Sequence, residues 1–239
     1  MKIQFTLAAA LLAATTSAYA VPRYKIVDLG VPAGLTGSSA RAIANSGAIA
    51  GEANVNSGAN IGYRMDDGLT PLPTLSGGIN FVVRGVNDAG VVAATVQEGF
   101  GIHDRAVLGN VGGVVQLGSV VGFAAAGALD VNNSNVAVGF ALIVGTLNGI
   151  EGSLPLLPNT DRRQRAAVWT GGVGTELAAA PGSVNSVAVA INDVGEVAGM
   201  YRLASGLTQG VIWSGGVSST LLLPAGQSQA RVRAISESG

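Results

Sequence analysis

The sequence contains no cysteine and only one histidine, His103. The first absence excludes disulfides, thiolate nucleophiles and cysteine-bound metals. The second excludes any site that needs two imidazoles. Charge is also scarce: Asp, Glu, Lys and Arg make up 11% of the 239 residues. With 13 basic against 14 acidic residues there is no cationic excess to neutralise a phosphate backbone, so nucleic acid is not an expected partner. Disorder sustained by charge repulsion is excluded for the same reason. What the chain has in quantity is apolar residues, 48% of the total, and glycine, 36 residues.

The N-terminus reads as a targeting segment. Met1-Lys2 is cationic, Phe5 to Ala14 is apolar, and Ala18-Tyr19-Ala20 has the small-residue pattern of a cleavage site. Residues 1–20 are therefore read as a secretory signal peptide and 21–239 as one β-repeat domain. That places the protein in the periplasm, at the cell surface or outside the cell. The apolar stretch is shorter than the ~20 residues that span a bilayer. A second uncharged run, Ala106 to Leu129, is interrupted by six glycines, which weaken a helix. No membrane span is expected in the mature chain.

Self-comparison gives the main signal. Ile43-Ala-Asn-Ser-Gly47, Val86-Asn-Asp-Ala-Gly90, Val131-Asn-Asn-Ser-Asn135, Ile191-Asn-Asp-Val-Gly195 and Ile235-Ser-Glu-Ser-Gly239 align, with first residues 43, 45, 60 and 44 apart. Leucine lies 14 residues before each of these anchors, at Leu29, Leu72, Leu117, Leu177 and Leu221. A small residue lies 8 after, at Gly51, Ala94, Gly139 and Gly199. A large apolar residue lies 22 after in three units, at Met65, Leu108 and Trp213. In the third unit Trp169 occupies that column, displaced by the 16 extra residues of the long interval. The insertion is placed at about 141–163.

Each unit alternates β-branched runs with turn residues. Asn and Asp favour turns by bonding nearby backbone, and Gly accepts the positive φ that closes a hairpin. The turn set is Asn45, Gly47, Asn87, Gly90, Asn132, Asn135, Asn192 and Gly195. Asn135 stands where the other units have Gly, and Asn is the next most tolerant residue of left-handed backbone. Four short strands in about 44 residues is the size of a propeller blade. A helical solenoid would need helix-period stripes that are missing here, and a β-helix normally uses shorter coils. The expected fold is all-β: a propeller-like array of four-stranded repeats, four complete and a fifth begun. The strand carrying each leucine is expected to be the fourth, with Tyr24 to Leu29 filling that place in the first unit. Because Gly239 is itself a turn glycine, the sequence is expected to be a fragment of a longer chain.

These columns resemble the HAF-type extracellular repeats of bacteria. The resemblance is carried by Val27-Asp-Leu-Gly30, Ala42-Ile43, Asn87-Asp-Ala-Gly90, Asn192-Asp-Val-Gly-Glu-Val-Ala-Gly199 and the Trp-x-Gly-Gly motifs at Trp169 and Trp213. It implies an exported, propeller-like protein of largely unassigned function, some relatives of which carry a sorting anchor or an outer-membrane barrel. The His-Ala-Phe tripeptide that names the repeat is absent: the matching places read Gly62-Tyr63, Ala166-Ala167 and Gly210-Val211.

Candidate chemistry is sparse. His103 and Asp104 are adjacent and so would point to opposite faces of a strand. Asp66-Asp67 precedes Gly68 as a hairpin tip, with no second carboxyl placed opposite by sequence. The acidic turn positions could offer calcium only one or two oxygens each, and the tryptophan column reads as packing between units. No catalytic residue, metal site or cofactor is expected. The one cluster with binding chemistry is Arg162, Arg163 and Arg165, whose guanidinium forks suit a carboxylate, a sulfate or an acidic glycan. The reading that follows is an exported, non-catalytic binding or surface-interaction module, with a glycan or cell-surface component as the partner class. The alternatives are a secreted carbohydrate-active hydrolase or lyase, and the passenger region of a longer outer-membrane protein.

Overall fold

The computed structural model describes residues 25–55, 58–65, 68–98, 104–143 and 164–239. The proposed signal peptide, Asp66, Asp67, His103, Arg162 and Arg163 lie outside the described residues.

The described chain is all-β and forms four antiparallel four-stranded sheets. The first holds β1 (Gly37–Ile43), β2 (Ile49–Asn54), β3 (Asn60–Arg64) and β4 (Thr70–Pro71). The second holds β5 (Gly78–Val86), β6 (Val92–Glu98), β7 (Arg105–Asn110) and β8 (Gly113–Gln116). The third holds β9 (Ala125–Val131), β10 (Ala137–Leu142), β11 (Gln164–Thr170) and β12 (Val173–Glu176). The fourth holds β13 (Ser183–Ile191), β14 (Val197–Leu203), β15 (Thr208–Ser214) and β16 (Val217–Thr220). Each sheet is an open meander with its strands in chain order. Together they make the four complete units of a propeller-like array.

Each anchor ends the first strand of its sheet, and the Asx-rich turn joins it to the second. The turn glycines take φ of 89° at Gly47, 74° at Gly90 and 85° at Gly195, and Asn135 takes 59° in their place. The turn closes through a backbone bond, such as Gly90 N–H to Asn87 O at 2.9 Å. The column of small residues has a different cause. In every unit the first strand bulges two residues before the anchor, at Arg41, Arg84, Leu129 or Val189. At the glycines of this column a first-strand carbonyl stands close: a Cβ on Gly139 would lie 2.0 Å from Gly127 O, and one on Gly199 would lie 2.2 Å from Val187 O, whereas the second unit accommodates Ala94. A bulge also turns its extra residue out of the regular alternation.

The leucine column lies just past the fourth strand of the preceding sheet. β4, β8, β12 and β16 end one residue or less before Leu72, Leu117, Leu177 and Leu221. Each of these leucines donates its N–H to a third-strand carbonyl, as Leu117 does to Ala106 O at 2.9 Å. Residues 25–36 form no strand, which corrects the expectation for the segment ending at Leu29. Leu29 instead packs beside Tyr63 and Met65. Ala141 and Leu142 belong to β10 and Gln164 opens β11, so strand flanks the stretch 144–163, which lies outside the described residues.

The core lies between the sheets. One cluster joins units 1 and 2 through Ala50, Leu72, Phe81 and Val83. Another joins units 2 and 3 around Trp169, and two more join units 3 and 4. The tryptophans also tie units together by hydrogen bonds. Trp169 Nε1 donates to Gly118 O of unit 2 at 2.8 Å, and Trp213 Nε1 donates to Ala178 O of unit 3 at 2.7 Å. The anchors show the same stacking. Val86, Val131 and Ile191 are 8%, 4% and 6% exposed, whereas Ile43, with no described unit before it, is 70% exposed. Of the fifth unit, residues 228–239 form a turn without a paired strand. They bind unit 4 through Ala230 N–H to Thr208 O at 3.0 Å and through Val232 on its core.

Candidate functional site

The five turns surround one polar cavity of about 160 Å³, so the units fan about a common axis as blades do. Two ladders of hydrogen bonds tie turn to turn. In the first, the second turn residue donates its amide to the next turn's backbone: Asn87 Nδ2 to Asn132 O at 2.9 Å, Asn132 Nδ2 to Asn192 O at 3.1 Å, and Asn192 Nδ2 to Ser236 O at 3.3 Å. In the second, a turn N–H donates to the next unit's side chain. Ser46 binds Asp88 Oδ1 at 2.8 Å, Asp88 binds Asn133 Oδ1 at 2.9 Å, Asn133 binds Asp193 Oδ1 at 2.8 Å, and Asp193 binds Glu237 Oε2 at 2.8 Å. Asn133 Nδ2 also donates to Asp88 and Asp193, at 2.8 and 2.7 Å.

The turn asparagines stabilise their own turns as well. Asn87 Oδ1 accepts Val91 N–H at 2.9 Å, and Asn192 Oδ1 accepts Glu196 N–H at 2.8 Å. Asn132 Oδ1 accepts the N–H groups of Ser134 and Val136, at 3.1 and 3.0 Å. Sequence shows the local role but not the one between units, because the partner lies 45 or 60 residues away. Asn132→Ala removes a buried donor and an acceptor together, and is expected to cost about 1–3 kcal/mol. A urea unfolding midpoint unchanged by this substitution would contradict the ladder's importance.

The electrostatics of this cavity depend on burial. Asp130 borders it and accepts Val131 N–H at 2.9 Å and Ile191 N–H at 3.0 Å. Burial pushes its carboxyl up to about 6, these N–H groups pull it down, and Glu237 adds to the rise. Asp88 behaves oppositely. The Ser46 N–H and the Asn133 amide hold its carboxyl below the usual range, with a further contribution from the Asn45 N–H. Among the described residues, no group of three or more His, Asp or Glu side chains is placed to hold a metal ion.

A larger cleft of about 430 Å³ lies at the junction of units 2 and 3. Glu98, Asp104, Arg105, Gln116 and Phe123 line it. Its volume falls in the range of small-molecule sites. Arg105 pairs with Glu98 and donates to Gln116 Oε1 at 2.8 Å, giving one wall an ordered polar face. Asp104 is buried at its edge.

Arg165, expected to act with Arg162 and Arg163, is a strand residue of β11. Its guanidinium is engaged by Glu176 Oε1 at 3.1 Å and by the Val184 carbonyl. It therefore secures the third unit to the fourth. No family model matches this sequence, and no curated protein matches it.

Proposed function

We propose that the protein is an exported, non-catalytic module that binds a glycan or another cell-surface component. The observation that supports this most is the cleft between units 2 and 3, where a paired Arg105–Glu98–Gln116 constellation stands on the adjacent strands β6, β7 and β8. Strands hold polar groups more accurately than loops do, which favours selective recognition. The signal-peptide pattern supports export, and the resemblance to HAF-type repeats supports an extracellular role.

A retention assay of the full chain on a panel of immobilised polysaccharides, with products analysed in parallel, tests the reading. The expected result is retention without turnover, weakened about tenfold or more by Arg105→Ala through loss of a charge-assisted contact. Turnover abolished by Asp104→Asn would instead identify a hydrolase or lyase.

A further inference from the structure

The bulge residues and the side chains packed against them differ from one junction to the next. Between units 3 and 4 these columns are Leu129, Phe140, Leu142 and Val189, and they fill the junction as apolar core. Between units 1 and 2 the same columns are Arg41, Glu52, Asn54 and Arg84. Here the apolar core at Ala50, Leu72, Phe81 and Val83 does not extend to these columns, which leave a cavity of about 100 Å³, lined also by Ser39 and Asn60. That is several times the volume of a water molecule.

The charges in this cavity do not balance. Glu52 is only 4% exposed, and both its oxygens are occupied: Oε2 by Arg41 Nη2 at 3.1 Å, and Oε1 by Val83 N–H at 2.7 Å. One carboxylate thus faces two guanidiniums. Arg84 makes no hydrogen bond to a described residue. Burial works against its charge, Glu52 supports it and Arg41 opposes it. Arg84 is half-buried and the Arg41 side chain is 39% exposed, so an anion entering the pocket from solvent can reach both guanidiniums. The repeat has a ready alternative, since leucine and valine fill the equivalent bulge positions in units 3 and 4. Arg41 and Arg84, each at a bulge, both line this one small pocket, and a guanidinium fork matches the two oxygens of a carboxylate.

We propose that the junction of units 1 and 2 is a binding site for a single carboxylate group, such as that of a uronic acid, held by Arg84 and Arg41 with Ser39 and Asn60 at the walls. The proposal rests on the binding-module reading and gives one site its ligand chemistry. The pocket admits the carboxylate and the atoms next to it, and the rest of the sugar lies outside.

The test is calorimetric titration of the full chain at neutral pH and constant ionic strength with sodium glucuronate, glucose and sodium sulfate. Glucuronate is expected to bind with one-to-one stoichiometry and glucose to give no heat. Arg84→Leu, which copies the third unit, is expected to weaken glucuronate binding about tenfold or more while keeping the β-sheet circular dichroism spectrum. Arg84→Gln provides the same comparison should the leucine variant fail to fold. Absence of glucuronate binding, or equal binding by the Arg84 variants, overturns the proposal. Sulfate binding through Arg84 in place of glucuronate overturns the assignment to a carboxylate. Retention on polysaccharides that persists without a glucuronate response removes this site and leaves the binding-module reading intact. Glucuronate binding through Arg84 without polysaccharide retention does the reverse.

Discussion

Trp169→Ala is expected to lower stability by about 3–5 kcal/mol, the range for removing a fully buried indole from a packed core. The side chain has no exposed surface and sits among Ala93, Leu117, Ala137 and Ala167, which belong to units 2 and 3. Its loss opens a cavity at that junction and leaves Gly118 O without its indole donor. In a stacked array, stability is approximately a sum of unit and interface terms. The damage should therefore also separate the first two units from the last two. Urea unfolding of the variant should show a lower midpoint and a broader or divided transition. Trp169→Phe keeps most of the apolar surface and should lose substantially less. A loss below about 1 kcal/mol for the alanine variant would remove the indole's assigned role as the link between these units.

The second large effect is a dependence on pH centred on Asp130. Its folded pKa is about 6 against an ordinary 3.8, so the folded state holds this proton more tightly than the unfolded chain does. The stability it contributes is complete below 3.8 and is lost as pH rises through 6. The interval corresponds to roughly 3 kcal/mol. Asp130→Asn cannot ionise, so wild-type stability relative to that variant should fall between about pH 4 and pH 6.5 and stay level above it. Asp88, Asp193 and Glu237 line the same cavity, and Glu237 contributes to the rise at Asp130. Asp88 has the opposite sign. Its depressed pKa supplies stability above 3.8 that is lost as pH falls through the folded value, so the two windows separate. Thermal midpoints measured from pH 3 to 8 for both proteins give the comparison. Parallel curves would show that Asp130 titrates as it does in the unfolded chain.

Much of the fold can be read from the sequence because the repeat displays the same constraint several times. The β-branched anchors, the Asx turns and the tryptophan column each answer to one local need, and they recur in register. The small-residue column was visible without its cause: the carbonyl that crowds Gly139 belongs to Gly127 on the neighbouring strand, and nothing in the sequence around Gly139 announces it. The candidate sites were harder to read. Arg41, Glu52 and Arg84 are ordinary surface-type residues until they are aligned with Leu129, Phe140 and Val189. Only then does a polar break in an apolar column appear. Arg165 shows the converse. A cluster of arginines in sequence suggested a loop, but strand pairing places this one against Glu176 and the backbone of unit 4.

The turn ladders also have a direction. Every backbone N–H rung passes from a donor in one unit to an acceptor in the next, from Ser46 through to Glu237, and only the Asn133 side-chain amide donates in both directions. Each unit therefore has a head and a tail that are chemically different, and no unit is complementary to its own kind face to face. Subunits joined by the same rule would meet heterologously. They could close into a ring or continue as a filament, but they could not form a two-fold dimer.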